Sequence, residues 1–199
     1  MGRRRLRERI VLIAVAAVAG TVAISATMAL IGRGSAPAVD GEFVLDQPGV
    51  YAQPLDEVNV DATGSELPDV VLLDAAGTSV RLSDHRGSPM VVNFWFSRCA
   101  PCRRELRDFA EVHAELGDRV RFVGVDPFDT VEAMERFASE RGVTYQLLRD
   151  AGVDGRLLTD ELGIVAYPVT VFVDAGGRIV RQTGELDAAE LRAAIAESF

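Results

Sequence analysis

Met90-Val91-Val92-Asn93-Phe94-Trp95-Phe96-Ser97-Arg98-Cys99-Ala100-Pro101-Cys102 contains both cysteines of the chain. Met90 to Phe96 is a short continuous apolar run, as in a strand buried on both faces. From Ala100 to Gly117 the pattern changes to helical spacing, with Leu106, Phe109, Ala110, His113 and Leu116 recurring at three and four residues. The cysteines therefore fall at a strand-to-helix junction. Free backbone N–H groups and the positive end of the macrodipole stabilise an anion at a helix start. Cys99 would stand at that end with Cys102 one turn inside, so a thiolate is favoured at Cys99 and a second sulfur is within reach to resolve a mixed disulfide. Pro101 suits the first turn, where no N–H is required. Two blander readings stand beside the redox pair. Half of a zinc site would need further ligands, but there is no second C-x-x-C, and His85 and His113 lie in unrelated places. An inert disulfide closing so short a loop would restrain the unfolded chain little.

Downstream, strand and helix signals alternate. Asp69 to Asp74, the turn Ala75-Ala76-Gly77, and Thr78 to Leu82 read as a hairpin. Val120 to Asp126 reads as a strand, followed by a helix capped by Asp129 or Thr130 and running to about Arg141. Val143 to Leu148 reads as a strand, Gly155 to Leu162 as a short helix, and Val169 to Thr183 as a second hairpin turning at Asp174 to Gly177. Asp187 to Ser198 forms a closing helix with Leu191 and Ile195 inward. Such an order implies an α/β fold with a central mixed sheet flanked by helices.

Upstream, the chain changes character. Of 199 residues, 21 are basic and 30 acidic, a formal net charge of −9. Five of the basic residues (Arg3, Arg4, Arg5, Arg7 and Arg9) but only one acid, Glu8, fall in the first nine. Residues 10–31 carry no charge. As a helix they would span roughly 33 Å at about 1.5 Å per residue, close to a bilayer core. The pattern reads as a cytoplasmic basic segment, 1–9, a single transmembrane signal anchor, 10–31, and a body outside the membrane. A cleavable signal peptide, with Ala36-Pro37-Ala38 as its processing site, is the alternative and exports the same body. Residues 32–66, rich in Gly and Pro and without a sustained period, read as an extracytoplasmic linker before a domain at 67–199. The acidic body argues against a nucleic-acid partner.

The segment Asn93 to Glu105 resembles the active-site stretch of extracytoplasmic thioredoxin-like proteins, the TlpA/ResA/CcmG-type thiol–disulfide oxidoreductases within the redoxin, or AhpC/TSA-like, superfamily. The resemblance extends over about 67–199, through Leu82-Ser83-Asp84-His85-Arg86-Gly87 and Tyr167-Pro168-Val169-Thr170. It implies a thioredoxin-like fold with an added N-terminal hairpin. It also makes Cys99 the exposed nucleophile and Cys102 the buried resolving thiol of a redox-active disulfide, and Pro168 the cis-proline beside it. Tyr167 would offer backbone groups to an extended substrate, with Trp95, Arg98 and Pro101 completing the substrate side. Glu105 matches an acidic residue near the two sulfurs, suited to proton transfer or to raising their pKa. Asn93 stands where cytoplasmic thioredoxins carry a buried aspartate. Arg98 replaces a usual tryptophan, which favours a thiolate at Cys99 and a more oxidising pair. Arg107 replaces a helix proline, and Val169 a threonine.

The resemblance implies a monomeric, membrane-anchored enzyme that needs neither cofactor nor metal. It would act on thiols and disulfides of exported proteins, such as apocytochrome c during cytochrome c biogenesis, and receive electrons from a CcdA-like membrane protein. Oxidation of client thiols is the alternative direction. A peroxiredoxin would need Thr or Ser where Phe96 stands, and a copper chaperone of this fold would need C-x-x-x-C with a distal histidine.

Overall fold

The computed structural model describes residues 58–199. The basic head, the proposed membrane helix over 10–31 and most of the linker lie outside the described residues. No helix among the described residues is long and apolar enough to cross a membrane.

Seven strands are described: β1 (Leu72–Leu73), β2 (Ser79–Val80), β3 (Met90–Phe94), β4 (Arg121–Asp126), β5 (Gln146–Arg149), β6 (Val169–Val173) and β7 (Ile179–Thr183). They form one mixed sheet in the order β2-β1-β5-β4-β3-β6-β7. The all-apolar run becomes the central strand. β3 is buried along its whole length, parallel to β4 and antiparallel to β6. Its residues alternate between two cores, as strand geometry requires. Val92 and Phe94 join one core with Val123, Val125, Val171 and Leu158. Val91 joins the other with Phe109, Val112, Phe122, Leu191 and Ile195.

Among the described residues four α-helices connect and cover the sheet: α1 (Ala100–Leu116), α2 (Val131–Ser139), α3 (Leu158–Glu161) and α4 (Ala188–Ser198). Each helix start has a physical cause. Cys99 is the N-cap of α1, with Pro101 in the first turn. Thr130 caps α2 through its hydroxyl, leaving Asp129 free for another role. Asp187 and Glu190 form a reciprocal capping box at α4. The α3 helix begins later than its sequence pattern suggests. Gly155 adopts φ 80° and closes a turn onto Gly152, and the Asp150 carboxylate then gathers the Leu158 and Thr159 N–H groups. β5 also starts late, because Val143 N–H remains bonded to Ala138 at the end of α2.

Residues 58–66, read as the tail of the linker, are hydrogen-bonded to the domain. Gly64 and Ser65 pair with Ile179, and Gln182 ties Val60 and Ala62. β1 and β2 pair antiparallel over two residues each, extending the sheet beyond β5.

Candidate active site

Cys99 and Cys102 are joined by a disulfide, with their Cα atoms 5.3 Å apart. The helix start positions both sulfurs. Cys102 N–H donates to Cys99 Sγ at 3.2 Å, so a donor that α1 cannot satisfy internally is directed at the sulfur of its own cap. Cys102 is fully buried, and Cys99, expected as the exposed nucleophile, is itself buried at 6% exposed and is only the less enclosed of the two residues. The loop leading into the helix is clamped. Asp129 accepts from Ser97 N–H at 2.6 Å and from Ser97 Oγ at 2.9 Å, and Cys99 N–H bonds to Phe96 O. Asp129 itself is set by Asp126, whose Oδ1 accepts from the Phe128 and Asp129 N–H groups. Burial, with further contributions from the nearby Asp129, pushes the Asp126 carboxyl up to about 7.

Glu105 lies one helical turn beyond Cys102, on the buried face of α1, and is 1% exposed. Asn93 Nδ2 donates to Glu105 Oε1 at 2.9 Å and to Thr170 Oγ1 at 3.1 Å, while Leu186 N–H donates to Glu105 Oε2 at 3.3 Å. These donors favour the carboxylate, but burial outweighs them and raises Glu105 from 4.5 to about 8. That value lies close to an ordinary thiol's, about 8.5, so the two acidities are matched.

The Tyr167–Pro168 peptide bond is cis, and Pro168 is buried. Asn59 secures the approach to it, donating to Ala166 O and accepting from the Val165 and Ala166 N–H groups. The half-buried Tyr167 ring meets Phe96 at 5.4 Å and Phe128 at 5.5 Å, both edge-on. Phe128 is 57% exposed, so this trio offers an apolar surface at the mouth of the loop. Arg98 is exposed and Pro101 half-buried, as a substrate side requires.

Trp95 packs against the active-site base. It is fully buried, stacked on Phe137 at 5.5 Å and packed in one cluster with both cysteines. That packing beside the disulfide agrees with Trp95 lying near the base of the active site. Asn59, Asp126, Asp129 and Thr170 were not singled out as site residues from the sequence. Asp129 gave the one available signal, a polar residue just ahead of a helix, which reads equally well as a cap.

A disulfide at a helix start, a buried acid one turn inward and a cis-proline loop on a mixed sheet define a thioredoxin-like thiol–disulfide oxidoreductase. The AhpC/TSA family model matches residues 63–182, and the chain belongs to that family. The thiol-disulfide oxidoreductase ResA of Geobacillus thermodenitrificans is 30% identical over 131 residues, covering 65% of this chain and 74% of the relative. Among solved structures, the thioredoxin domain of a thiol-disulfide oxidoreductase from Bacteroides vulgatus has a TM-score of 0.61 at 26% identity, covering 69% of this chain and 98% of that one. A secreted disulfide oxidoreductase of Mycobacterium tuberculosis, described as homologous to DsbE of E. coli, has a TM-score of 0.56 at 26% identity, covering 65% and 96%. The enzyme is thus a thiol–disulfide oxidoreductase of ResA/DsbE type.

Proposed function

We propose that this oxidoreductase is a membrane-anchored, extracytoplasmic reductase of disulfides in exported proteins, with apocytochrome c among its clients. The observation that carries the reading is the Cys99–Cys102 disulfide set one turn from a buried, proton-holding Glu105. In the reduced enzyme, Cys99 thiolate attacks one sulfur of a client disulfide. A Cys99–client mixed disulfide forms, and the first client thiolate leaves. Glu105, as carboxylate, takes the proton of Cys102, whose sulfur then attacks Cys99 Sγ and releases the second client thiolate. Two electrons pass to the client, whose thiolates take up two protons from solvent, Glu105 keeps the proton of Cys102, and the enzyme is left with its own disulfide. The Tyr167–Pro168 segment and the apolar trio beside it receive the client backbone and side chains. A membrane dithiol protein of the CcdA kind returns the electrons, which an oxidising compartment would not supply.

Anchoring rests on the charge-free run 10–31 behind an arginine-rich head. The cytochrome c role rests on likeness to ResA/CcmG-type proteins. Trapping tests the whole reading: Cys102→Ser in the native membrane should hold clients on Cys99 as stable mixed disulfides. An empty trap would refute it.

The opposite direction, oxidation of client thiols, is favoured by one observation. Arg98 stands before Cys99, and Arg103 follows Cys102, both exposed. Their charge favours the thiolate and so a more oxidising pair. A reduction potential of about −270 mV would support the reductase, and one of about −120 mV the oxidant.

A further inference from the structure

Cations gather on one flank of the disulfide. Arg98, Arg103 and Arg107 are exposed, and Arg103 and Arg107 lie one turn apart on α1. Among the described residues no carboxylate lies within 4.0 Å of any of the three, as is also true of Arg119, Arg121, Arg136 and Arg149, whereas Arg81, Arg104, Arg156, Arg181 and Arg192 each hold at least one. Arg141, from the chain after α2, lies behind them, paired with Glu140 at 3.5 Å and only 11% exposed. Its guanidinium carbon lies 3.5 Å from the Phe137 ring centroid, and that of Arg103 lies 5.8 Å from the same ring. Phe137 packs with Trp95 and both cysteines in one cluster, so these cations stand on the wall that holds the disulfide. The opposite flank of α1 has the other sign. There Arg104 is neutralised by Glu185, and Asp108, Asp187 and Glu190 line a cleft of about 530 Å³.

A cluster of exposed cations beside a reactive sulfur draws anionic groups toward it and repels cationic ones. We propose that the face formed by Arg98, Arg103 and Arg107 is a client-recognition surface that selects disulfides lying in acidic protein segments. This rests on the oxidoreductase reading and names the substrate class for the same site.

The test compares initial rates of reduction of three synthetic peptide disulfides by the reduced full-length chain in detergent. The disulfide is flanked by Glu, Gln or Lys, and neutral dithiodipyridine serves as a small reference oxidant. The Glu-flanked peptide should react about tenfold faster than the Gln-flanked one at low salt, with the Lys-flanked one slowest. The spread should collapse to about twofold at 0.5 M salt. The Arg98→Gln/Arg103→Gln/Arg107→Gln variant should lose the discrimination. The Glu-to-Gln rate ratio is the readout, because any change in Cys99 acidity affects both peptides alike. Arg103→Gln and Arg107→Gln alone should each lower the ratio about two- to threefold, which guards against misfolding of the triple variant. Equal rates for the Glu and Gln peptides, or a ratio that survives all three substitutions, would overturn the proposal. So would reaction with dithiodipyridine but with no peptide. Failure to react even with dithiodipyridine would instead overturn the reading on which it rests.

Discussion

Replacing Glu105 with Gln should uncouple much of the protein's stability from pH. In the oxidised protein Glu105 is held at about 8 against an ordinary 4.5. Below pH 4.5 both folded and unfolded chains carry the proton. Between 4.5 and 8 the folded chain keeps it and the unfolded chain does not, so stability falls as pH rises. At roughly 1.4 kcal/mol per unit, the loss attributable to Glu105 is roughly 3 to 4 kcal/mol between pH 5 and pH 8. That is a large share of a typical domain stability of about 5–15 kcal/mol. Glutamine has the shape of the neutral acid but offers its amide N–H₂ to one of two donors, Asn93 Nδ2 or Leu186 N–H, a pH-independent cost of about 1 kcal/mol. The two proteins should therefore be about equally stable at pH 5, with Glu105→Gln ahead by about 3 kcal/mol at pH 8. Guanidinium unfolding of the oxidised proteins, followed through the sole tryptophan, Trp95, measures this without titrating thiols. Asp126, raised to about 7, leaves a residual slope in both and cancels in the difference. A difference that does not change with pH would show that Glu105 is not a buried neutral acid, and the proton-transfer role would fall with it.

Cys99→Ser should abolish reduction of insulin or of any client, whereas Cys102→Ser should retain the first attack and accumulate mixed disulfide, visible on non-reducing gels. Asp129→Ala removes two hydrogen bonds from Ser97, one of them to its backbone, and should cost about 2–3 kcal/mol in denaturant unfolding. Paired with Ser97→Ala it should show a coupling above about 0.5 kcal/mol in a double-mutant cycle, and additivity would refute the clamp. Gly124→Ala would place a methyl group 2.7 Å from Trp95 Nε1 and 2.9 Å from Leu147 Cδ2. It should cost about 1–3 kcal/mol and shift Trp95 emission, and an unchanged spectrum would mean the indole is not seated over Gly124.

Sequence separation accounts for what could be read in advance. Cys99, Cys102 and Glu105 lie within seven residues, and helical spacing alone places all three at one helix start, two of them buried in its first two turns. The sheet was equally legible, because Met90 to Phe96 and Val169 to Val173 are apolar runs broken only by Asn93 and Thr170, as strands buried on both faces are. In a run buried on both sides, alternation does not mark which side chain reaches solvent. The partners that hold the site come from far along the chain. Thr170 meets Asn93 only because β6 lies beside β3 in a fixed register, and Asn59 meets Ala166 only because the segment before β1 crosses to the cis-proline loop. Asp129 is the informative case. Its local pattern suits a cap, but Thr130 next to it can also cap, so the choice between them is made by Ser97, 32 residues upstream. Neither propensity nor spacing contains that comparison. It depends on β3 and β4 being parallel neighbours, which brings the loops after their carboxyl ends together and lets one loop's carboxylate hold the other's cysteine approach.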